Sequence, residues 1–307
     1  MPGIILLVFL GILSVGVISV WVSGERGKLI WPSTVEWLRA GGLRNVLNFN
    51  FLHGYFYMRW TNLYVDVLIN HVIPWLPERI TNFYSQRYHG KVLTQAEAEA
   101  IVHLDHDLAR RDLEQVIPYT AARDLVLNGP PDIAVYECAC RHSRQQHCQP
   151  TQVCMVVGQP FVDLLLEHHP QTSRRLDQDE AIRLLQEEHE RGHLHTAWFK
   201  DVLLDRFYVI CNCCKCCCAG VEAMVKYGIP AMASSGYAAR VDEALCNACG
   251  SCVEACPFGV LALDDKLVVN WEKCMGCGVC SSQCPSGAIA LARDDLKGIP
   301  LDVRMMA

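Results

Sequence analysis

The cysteines are the side chains of this sequence with the most chemical potential, and they are clustered. The chain has 18 cysteines in 307 residues, and the first of them is Cys138. Ten lie between Cys138 and Cys218, and eight lie between Cys246 and Cys284. Dense Cys-x-x-Cys runs in a chain of this length are typical of metal ligation in a reducing compartment, whereas disulfide scaffolds are short and spread their cysteines. We therefore expect thiolate-bound metal centres.

The eight C-terminal cysteines form an internal duplication. The run CNACGSCVEACPFGVLAL, from Cys246, aligns with CMGCGVCSSQCPSGAIAL, from Cys274, at a period of 28 residues. Each copy has the spacing C-x2-C-x2-C-x3-C-P, in which three thiolates hold one [4Fe-4S] cluster and the fourth reaches the other cluster. The spacing predicts two ligand sets: Cys246, Cys249, Cys252 and Cys284 for cluster one, and Cys274, Cys277, Cys280 and Cys256 for cluster two.

On these two motifs, the chain from about Val241 to Leu291 resembles the bacterial-type dicluster ferredoxins. The resemblance implies two one-electron carriers that are close enough for rapid transfer between them, and it implies no substrate. Zinc ribbons also use Cys-x-x-Cys pairs, but two interlocked runs of four cysteines fit isolated tetrahedral sites poorly.

Ten further cysteines precede this repeat in two segments. The first has the spacing C-x-C-x7-C-x5-C from Cys138, and the second is CNCCKCCC from Cys211. The alternatives are one or two further iron–sulfur clusters, a zinc site, or free and redox-reactive thiols. The sequence assigns no individual ligands. The candidates are Cys138, Cys140, Cys148, Cys154, Cys211, Cys213, Cys214, Cys216, Cys217 and Cys218.

The order of these segments resembles a group of iron–sulfur proteins of anaerobic bacteria and archaea, which are known mainly as predicted redox proteins. The resemblance covers Cys138 to Leu291: a Cys-x-Cys-Arg segment, a helix ending near Gly-x-x-His, the CNCCxCCC run and the dicluster ferredoxin. It marks His195, in the sequence GHLH, as either a metal ligand or a hydrogen-bond donor to backbone or sulfide.

The N-terminus is predicted to be a membrane anchor. Residues 4–22 carry no charge over 19 positions, and a helix of that length nearly matches the hydrocarbon core of a bilayer. A cleaved signal peptide and a buried helix are the alternatives, but no basic residue precedes the run and no small-residue cleavage site follows it. Because the nearby basic residues, Arg26, Lys28, Arg39 and Arg44, all follow the run, we expect a single-pass cell-membrane protein with its cluster domains on the cytoplasmic side.

These features predict an α+β chain in four parts. They are the transmembrane anchor (1–24), an aromatic juxtamembrane or partner-contact segment (25–93), a mostly helical cysteine-rich metal-binding α/β domain (94–235), and a ferredoxin-like (βαβ)2 dicluster domain (236–307). The aromatic segment contains an apolar helical stretch over residues 51–77 that could lie on the bilayer, contact an integral membrane subunit, or be buried.

Within the cysteine-rich part, local patterns predict several elements. A capping box, Thr94 with Glu97, predicts the start of a helix. A second helix is expected over residues 178–191, ended by Gly192, and strands are expected at 132–137 and 205–210.

We expect an electron-transfer subunit of an oxidoreductase complex. The net charge is −6 with both signs spread along the chain, so a nucleic-acid partner is not expected. Neither GxGxxG nor a Walker motif occurs, so the donor must be another subunit, such as a flavoprotein or a ferredoxin-linked enzyme. The protein would relay single electrons between a cytoplasmic partner and a membrane quinone or cytochrome, with membrane lipid around its anchor. The alternative is a reductase or redox sensor with chemistry at an upstream cluster formed by residues 138–218, and the sequence leaves catalysis by this chain open.

Overall fold

The computed structural model describes the backbone of residues 2–47 and 49–306, and the side chains of residues 11, 12, 14–43, 47 and 49–306. The helices are α1 (Pro2–Gly24), α2 (Pro32–Leu47), α3 (Asn50–Arg59), α4 (Thr61–Asp66), α5 (Glu78–Ser85), α6 (Gln95–Val102), α7 (Ala139–His142), α8 (Phe161–His168), α9 (Gln178–Glu190), α10 (Ala219–Tyr227), α11 (Ser251–Ala255) and α12 (Val279–Ser282). The strands are β1 (Tyr88–Leu93), β2 (Leu108–Arg110), β3 (Leu125–Leu127), β4 (Ile133–Glu137), β5 (Gln152–Val157), β6 (Ser173–Leu176), β7 (Leu194–Lys200), β8 (Arg206–Cys213), β9 (Met232–Ala233), β10 (Tyr237–Val241), β11 (Leu261–Leu263), β12 (Leu267–Val269) and β13 (Ile289–Arg293).

A seven-stranded sheet organises the cysteine-rich part of the chain. Its order is β6-β4-β5-β8-β7-β1-β9, and every neighbouring pair is antiparallel except β1 and β9. The central strands are rich in β-branched and aromatic residues and are buried on both faces, so they form nearly continuous apolar runs instead of alternating ones. The fold is α+β, but the predicted mostly helical cysteine-rich domain is instead centred on this sheet.

The two faces of the sheet carry two different cores. Along β5, Cys154 and Val156 belong to one buried cluster, while Met155 and Val157 belong to the other. Because successive side chains of a strand point to opposite faces, the cysteines lie on one face only. α3 and α8 contribute to the core on the cysteine face, and α6 and α9 contribute to the core on the opposite face.

Both helices on the opposite face begin with a capping box. The box predicted at Thr94 is confirmed, since its side chain accepts from the Glu97 backbone and the Glu97 carboxylate accepts from the Thr94 backbone. α9 begins with the same arrangement between Asp177 and Glu180. Each box satisfies backbone N–H groups that the first helical turn leaves unpaired.

The predicted transmembrane anchor is contradicted. In the part of the chain that the structure describes, no helix is both long enough and apolar enough to cross a bilayer. A crossing needs about 20 consecutive apolar residues, and the described side chains of α1 begin at Gly11. Residues 1–10 and 13 of the predicted anchor lie outside the described side chains. The predictions of a single-pass membrane location and of an orientation based on it are therefore wrong as well.

The C-terminal end of α1 is docked on the body of the protein. The Gly24 carbonyl accepts hydrogen bonds from Arg59 Nε at 2.8 Å and from His168 Nδ1 at 3.1 Å. The fully buried Glu25 carboxylate accepts from the Trp31 backbone and from Thr34 Oγ1 at 3.0 Å. Polar groups in α3 and α8 therefore fix where α1 ends.

The aromatic segment is largely part of the core. Trp37, Phe51 and Tyr57 are buried in the same cluster as the cysteines, whereas Trp75 is 84% exposed. The single helix expected over residues 51–77 is broken at Trp60, whose φ of −126° and ψ of 45° are not helical. The rings of Trp37, Phe51 and Tyr57 are therefore buried in the protein. Contact of the aromatic segment with a partner remains a prediction.

The C-terminal part has two equivalent halves, β10-α11-β11 and β12-α12-β13. β10 pairs with β13 and β11 pairs with β12, both antiparallel, so each half is completed by the other. α11 begins after Gly250 and α12 after Gly278, and both glycines have left-handed backbones with φ of 79° and 83°. The sequence duplication thus corresponds to a structural one.

A short segment attaches this dicluster part to the sheet. Ser235 N donates to the Met275 carbonyl at 3.1 Å, and Ser235 Oγ donates to the Gly276 carbonyl at 2.8 Å. Gly276 has a φ of 64°, and a Cβ added there would lie 2.2 Å from the Tyr237 carbonyl oxygen. Only glycine therefore allows the cysteine loop to approach so closely.

Alanine at Gly276 is expected to destabilise the protein more than alanine at Gly287. Both glycines are left-handed, with φ of 64° and 65°, so each substitution has a backbone cost of about 1–2 kcal/mol. At Gly287 a Cβ meets nothing within 4 Å, whereas at Gly276 it meets backbone, which adds roughly 1–3 kcal/mol. Thermal unfolding of G276A and G287A, both prepared anaerobically, measures the difference. Equal losses of Tm would contradict the packing at Gly276.

Candidate metal centres

One cavity of the dicluster part is lined by the four cysteines predicted for cluster one. Three come from the loop before α11 and from its first turn, and the fourth follows α12. Apolar residues complete the lining. The cysteines are Cys246, Cys249, Cys252 and Cys284, and the apolar residues include Leu263, Leu267 and Ile289.

A second cavity is lined by the four cysteines predicted for cluster two. The loop before α12 and the helix itself supply three of them, and the residue that ends α11 supplies the fourth. The cysteines are Cys274, Cys277, Cys280 and Cys256, with Phe258, Val260, Leu261 and Val269 among the apolar neighbours. The ligand sets stay a prediction, and the structure adds that each set shares one cavity.

α11 connects the two cavities. Cys252 on this helix lines the first cavity, and Cys256 at its end lines the second. Burial raises the pKa of Cys280 to about 12 and also raises that of Cys277. Such thiols keep their protons at neutral pH unless a metal replaces them, so these side chains suit iron ligation better than free thiolate chemistry.

Most of the upstream cysteines surround one larger cavity of about 140 Å³, here called the thiol cavity. Six of them form a continuous chain of neighbouring thiols, each close enough to shift the pKa of the next. In order along that chain they are Cys140, Cys138, Cys154, Cys211, Cys213 and Cys218.

Strands and helix N-termini hold these six thiols in place. Cys154 on β5 and Cys211 on β8 are directly paired in the sheet. Cys138 and Cys218 are the N-cap residues of α7 and α10. Helix N-termini favour negative charge, but the neighbouring thiols dominate here: Cys140 lowers the pKa of Cys138, whereas Cys213 and burial raise the pKa of Cys218.

Protons are shared unequally within this chain of thiols. Donation from Cys140 lowers the pKa of Cys138, and donation from Cys211 lowers the pKa of Cys213. The same sharing, together with burial, raises the pKa of Cys140. Thiolates and thiols therefore lie side by side, and metal binding would release the remaining protons.

Phenols and an ammonium group also line the thiol cavity. Tyr57 Oη lies 2.7 Å from Tyr208 Oη and 3.2 Å from Tyr88 Oη. The Lys200 ammonium lies 4.0 Å from the centre of the Tyr88 ring. Burial lowers the pKa of Lys200 to about 8. The lining of the cavity thus combines thiols with a cation and hydroxyl groups.

The remaining upstream cysteines form a separate group beside this cavity. All four Sγ atoms lie within 4.8 Å of one another. Cys214 and Cys217 also line the thiol cavity, so the two groups adjoin. We call this group the four-cysteine site: Cys148, Cys214, Cys216 and Cys217.

His195 lies between the upstream cysteines and the dicluster part. Its Nδ1 donates to Asn212 Oδ1 at 2.6 Å, and its ring stacks on His189 at 5.6 Å between centroids. Burial lowers its pKa to about 4, so the ring is neutral near pH 7. His195 does not line the thiol cavity, and its Nε2 is buried with no hydrogen-bond partner among the described residues, so its role as a metal ligand or hydrogen-bond donor stays a prediction.

Sequence reasoning missed Lys200 and the three tyrosines Tyr57, Tyr88 and Tyr208. Their pairing with the cysteines depends on the fold, because β1, α3 and β8 are distant in sequence and only the sheet brings them to one cavity. The aromatic richness around Tyr57 was visible in the sequence, but nothing there indicated that the ring would face thiols.

Comparisons with known proteins agree with the dicluster geometry. The family model described as Fer4, 4Fe-4S binding domain, matches residues 239–262 and again 267–290, so each match contains one cysteine run. A search of curated proteins found no match. The two matches support a ferredoxin-like dicluster domain with 4Fe-4S clusters, and with the many cysteines they indicate iron–sulfur electron transfer. The four-cysteine site hints at further metal binding, and zinc is not shown.

Alanine variants test the crossed ligand sets. Cys256 belongs to the first cysteine run, but its side chain lines the second cavity together with Cys277. Replacing Cys256 should therefore remove the same cluster as replacing Cys277. The reduced C256A and C277A proteins should therefore have matching EPR spectra. The C284A and C249A proteins should match each other in the same way, and each of the four variants should lose about four iron atoms. If C256A instead matches C249A, the crossing is wrong.

Proposed function

We propose that the protein carries single electrons between its two ferredoxin clusters and a further iron–sulfur centre held in the thiol cavity. Through them, it would exchange electrons with other redox proteins, such as a flavoprotein or a ferredoxin-linked enzyme. The observation that carries this proposal is the direct contact between α11 and the upstream cysteine run. Electron transfer needs centres at fixed, short separations, and this contact supplies one.

The contact is made by Lys215, which stands between Cys214 and Cys216. Its Nζ donates to the Glu254 carbonyl on α11 at 2.7 Å. Glu254 lies between Cys252, which lines the first dicluster cavity, and Cys256, which lines the second. One hydrogen bond therefore joins the upstream run to the helix shared by both predicted clusters.

A second connection supports the same proposal. His189 lies beside Gly278, since a Cβ on that glycine would be 3.8 Å from His189 Cε1. His189 stacks on His195, which is hydrogen-bonded to Asn212, the residue between Cys211 and Cys213. A packed path of two imidazole rings and an amide thus runs from the loop of cluster two to the thiol cavity.

Exposure favours cluster one as the point of exchange with a partner. Cys249 is exposed and Cys246 is half-buried, whereas Cys274, Cys277 and Cys280 are buried. A partner that approaches the first dicluster cavity would come close to its iron. Electrons would then continue through cluster two or α11 to the thiol cavity, where the Lys200 charge favours a more reduced centre.

Counting electrons tests the proposal. Two [4Fe-4S] clusters accept about two electrons in total, so anaerobic titration of the oxidised wild-type protein with a calibrated reductant should consume more than that. Cys154→Ala should lower the uptake by about one electron relative to the wild type, because Cys154 lies in the centre of the thiol chain.

Met155→Leu is the matched control, since Met155 is the next residue of β5 and points into the opposite core. This volume-conserving change should leave the uptake at the wild-type value. A wild-type protein that accepts only two electrons would contradict the proposed upstream centre.

A second candidate function is reduction of a small anion in the thiol cavity. The observation that favours it is Lys200, a buried ammonium that no carboxylate contacts among the described ion pairs. With a pKa of about 8 it can donate and regain a proton near neutral pH, and the tyrosine hydroxyls beside it can pass that proton on. Electrons would arrive one at a time from the ferredoxin clusters.

Azide is a suitable anionic probe of this second function. If the cavity accepts an anion at its metal centre, azide should change the EPR spectrum of the upstream centre, and Lys200→Met should weaken this binding about tenfold or more. The wild-type affinity should fall as the pH rises through about 8, because the ammonium then loses its charge.

Lys91→Met serves as the control for this experiment. Lys91 is also buried and burial also lowers its pKa to about 8, but its Nζ donates to the Ile299 carbonyl, away from the cavity. The K91M protein should bind azide as the wild type does. An upstream centre that azide leaves unchanged in the wild type would exclude this second function.

A further inference from the structure

The four-cysteine site differs from the other thiol groups in how tightly its sulfur atoms are packed. Cys148 Sγ lies 2.8 Å from Cys216 Sγ, which in turn lies 3.4 Å from Cys217 Sγ. Among the described His, Cys, Asp and Glu side chains, this is the group in which four sulfur atoms all lie within 4.8 Å of one another. The four-thiol sets of the dicluster cavities are wider.

The upper limit of this spacing, 4.8 Å, suits one metal ion better than a cubane, and an ion would move Cys148 and Cys216 apart from their present 2.8 Å. Thiolates bound about 2.3 Å from a common tetrahedral ion lie about 3.8 Å apart. In a [4Fe-4S] cluster each thiolate binds a different iron atom at a corner of the cube, so the four sulfur atoms must lie farther apart. The two dicluster cavities have that wider arrangement, and the four-cysteine site does not.

The local backbone is also suited to a single ion. Cys214 and Cys217 have the Cys-x-x-Cys spacing of tetrahedral sites, and the Cys218 N–H closes the turn by donating to the Cys214 carbonyl at 3.3 Å. Cys148 arrives from the loop between α7 and β5 and supplies the fourth ligand from a separate segment. Such a site would tie that loop to the CNCCKCCC run.

Basic side chains lie near such a site, and two of them, Arg141 and Arg144, are also ion-paired with Glu188 and Glu222. Four thiolates around a divalent ion leave a net negative charge. Arg144 Nε donates to the Cys217 carbonyl at 3.3 Å, and Lys215 lies within the cysteine run itself. Arg141 is close enough to Cys214 to lower the pKa of that thiol, against the larger effect of burial, which raises it.

We propose that Cys148, Cys214, Cys216 and Cys217 bind one tetrahedral thiolate-preferring ion, iron or zinc, separately from the centre of the thiol cavity. This proposal does not depend on the proposed iron–sulfur centre in the thiol cavity. An iron ion would be a further one-electron carrier between α11 and the thiol cavity, and a zinc ion would hold the two segments together without redox change.

The test compares C148S/C216S with C249S by anaerobic metal and sulfide analysis. Cys216 is exposed and Cys148 is half-buried, so serine at these positions leaves the core intact. The double variant should lose one metal ion per chain and no acid-labile sulfide, and it should keep the EPR signals of the reduced ferredoxin clusters. C249S, a change at an equally exposed cysteine, should lose iron together with sulfide.

The identity of the lost ion distinguishes the two occupants. Loss of iron together with a high-spin ferric EPR signal identifies an iron site, and loss of zinc without a spectral change identifies a zinc site. Either result supports the proposal. Loss of iron and sulfide in equal amounts from C148S/C216S would identify a cluster at this position, and no loss of metal would show that the site is empty. Either of these outcomes overturns the proposal.

Discussion

A buried thiolate is unstable unless a metal or a hydrogen bond neutralises it, and this protein buries many cysteines close together. In the dicluster part, burial raises the pKa of Cys277 and Cys280, so that iron must replace their protons. In the thiol cavity, the chain of six thiols shares its protons and leaves some groups close to thiolate. The rest of the structure therefore has to hold these cysteines close together and away from water.

The seven-stranded sheet places those ligands by its two-sided geometry. Cys154 and Cys211 pair across β5 and β8, and the alternation of side chains keeps apolar Met155 on the opposite face. The starts of α7 and α10 then place Cys138 and Cys218 at the same cavity. Paired strands and helix N-termini therefore hold these four cysteines, and their positions do not depend on long flexible loops.

Local patterns could be predicted from the sequence, and long-range groupings could not. The cysteine spacing within each ferredoxin run and the capping box at Thr94 depend on residues a few positions apart, so both can be read from the chain itself. The division of ten upstream cysteines into a chain of six and a group of four depends on which strands pair and on the turn after Cys213. Even the helix expected over residues 51–77 is broken at Trp60, which helical periodicity alone does not reveal.

The most direct test of this account is the location of iron in crystals of the anaerobically purified protein. Anomalous scattering measured at the iron edge should give strong peaks in both dicluster cavities and a further strong peak among Cys138, Cys154, Cys211 and Cys213 in the thiol cavity. Peaks in the dicluster cavities with no iron in the thiol cavity would contradict the account, because the thiol cavity would then carry no electron.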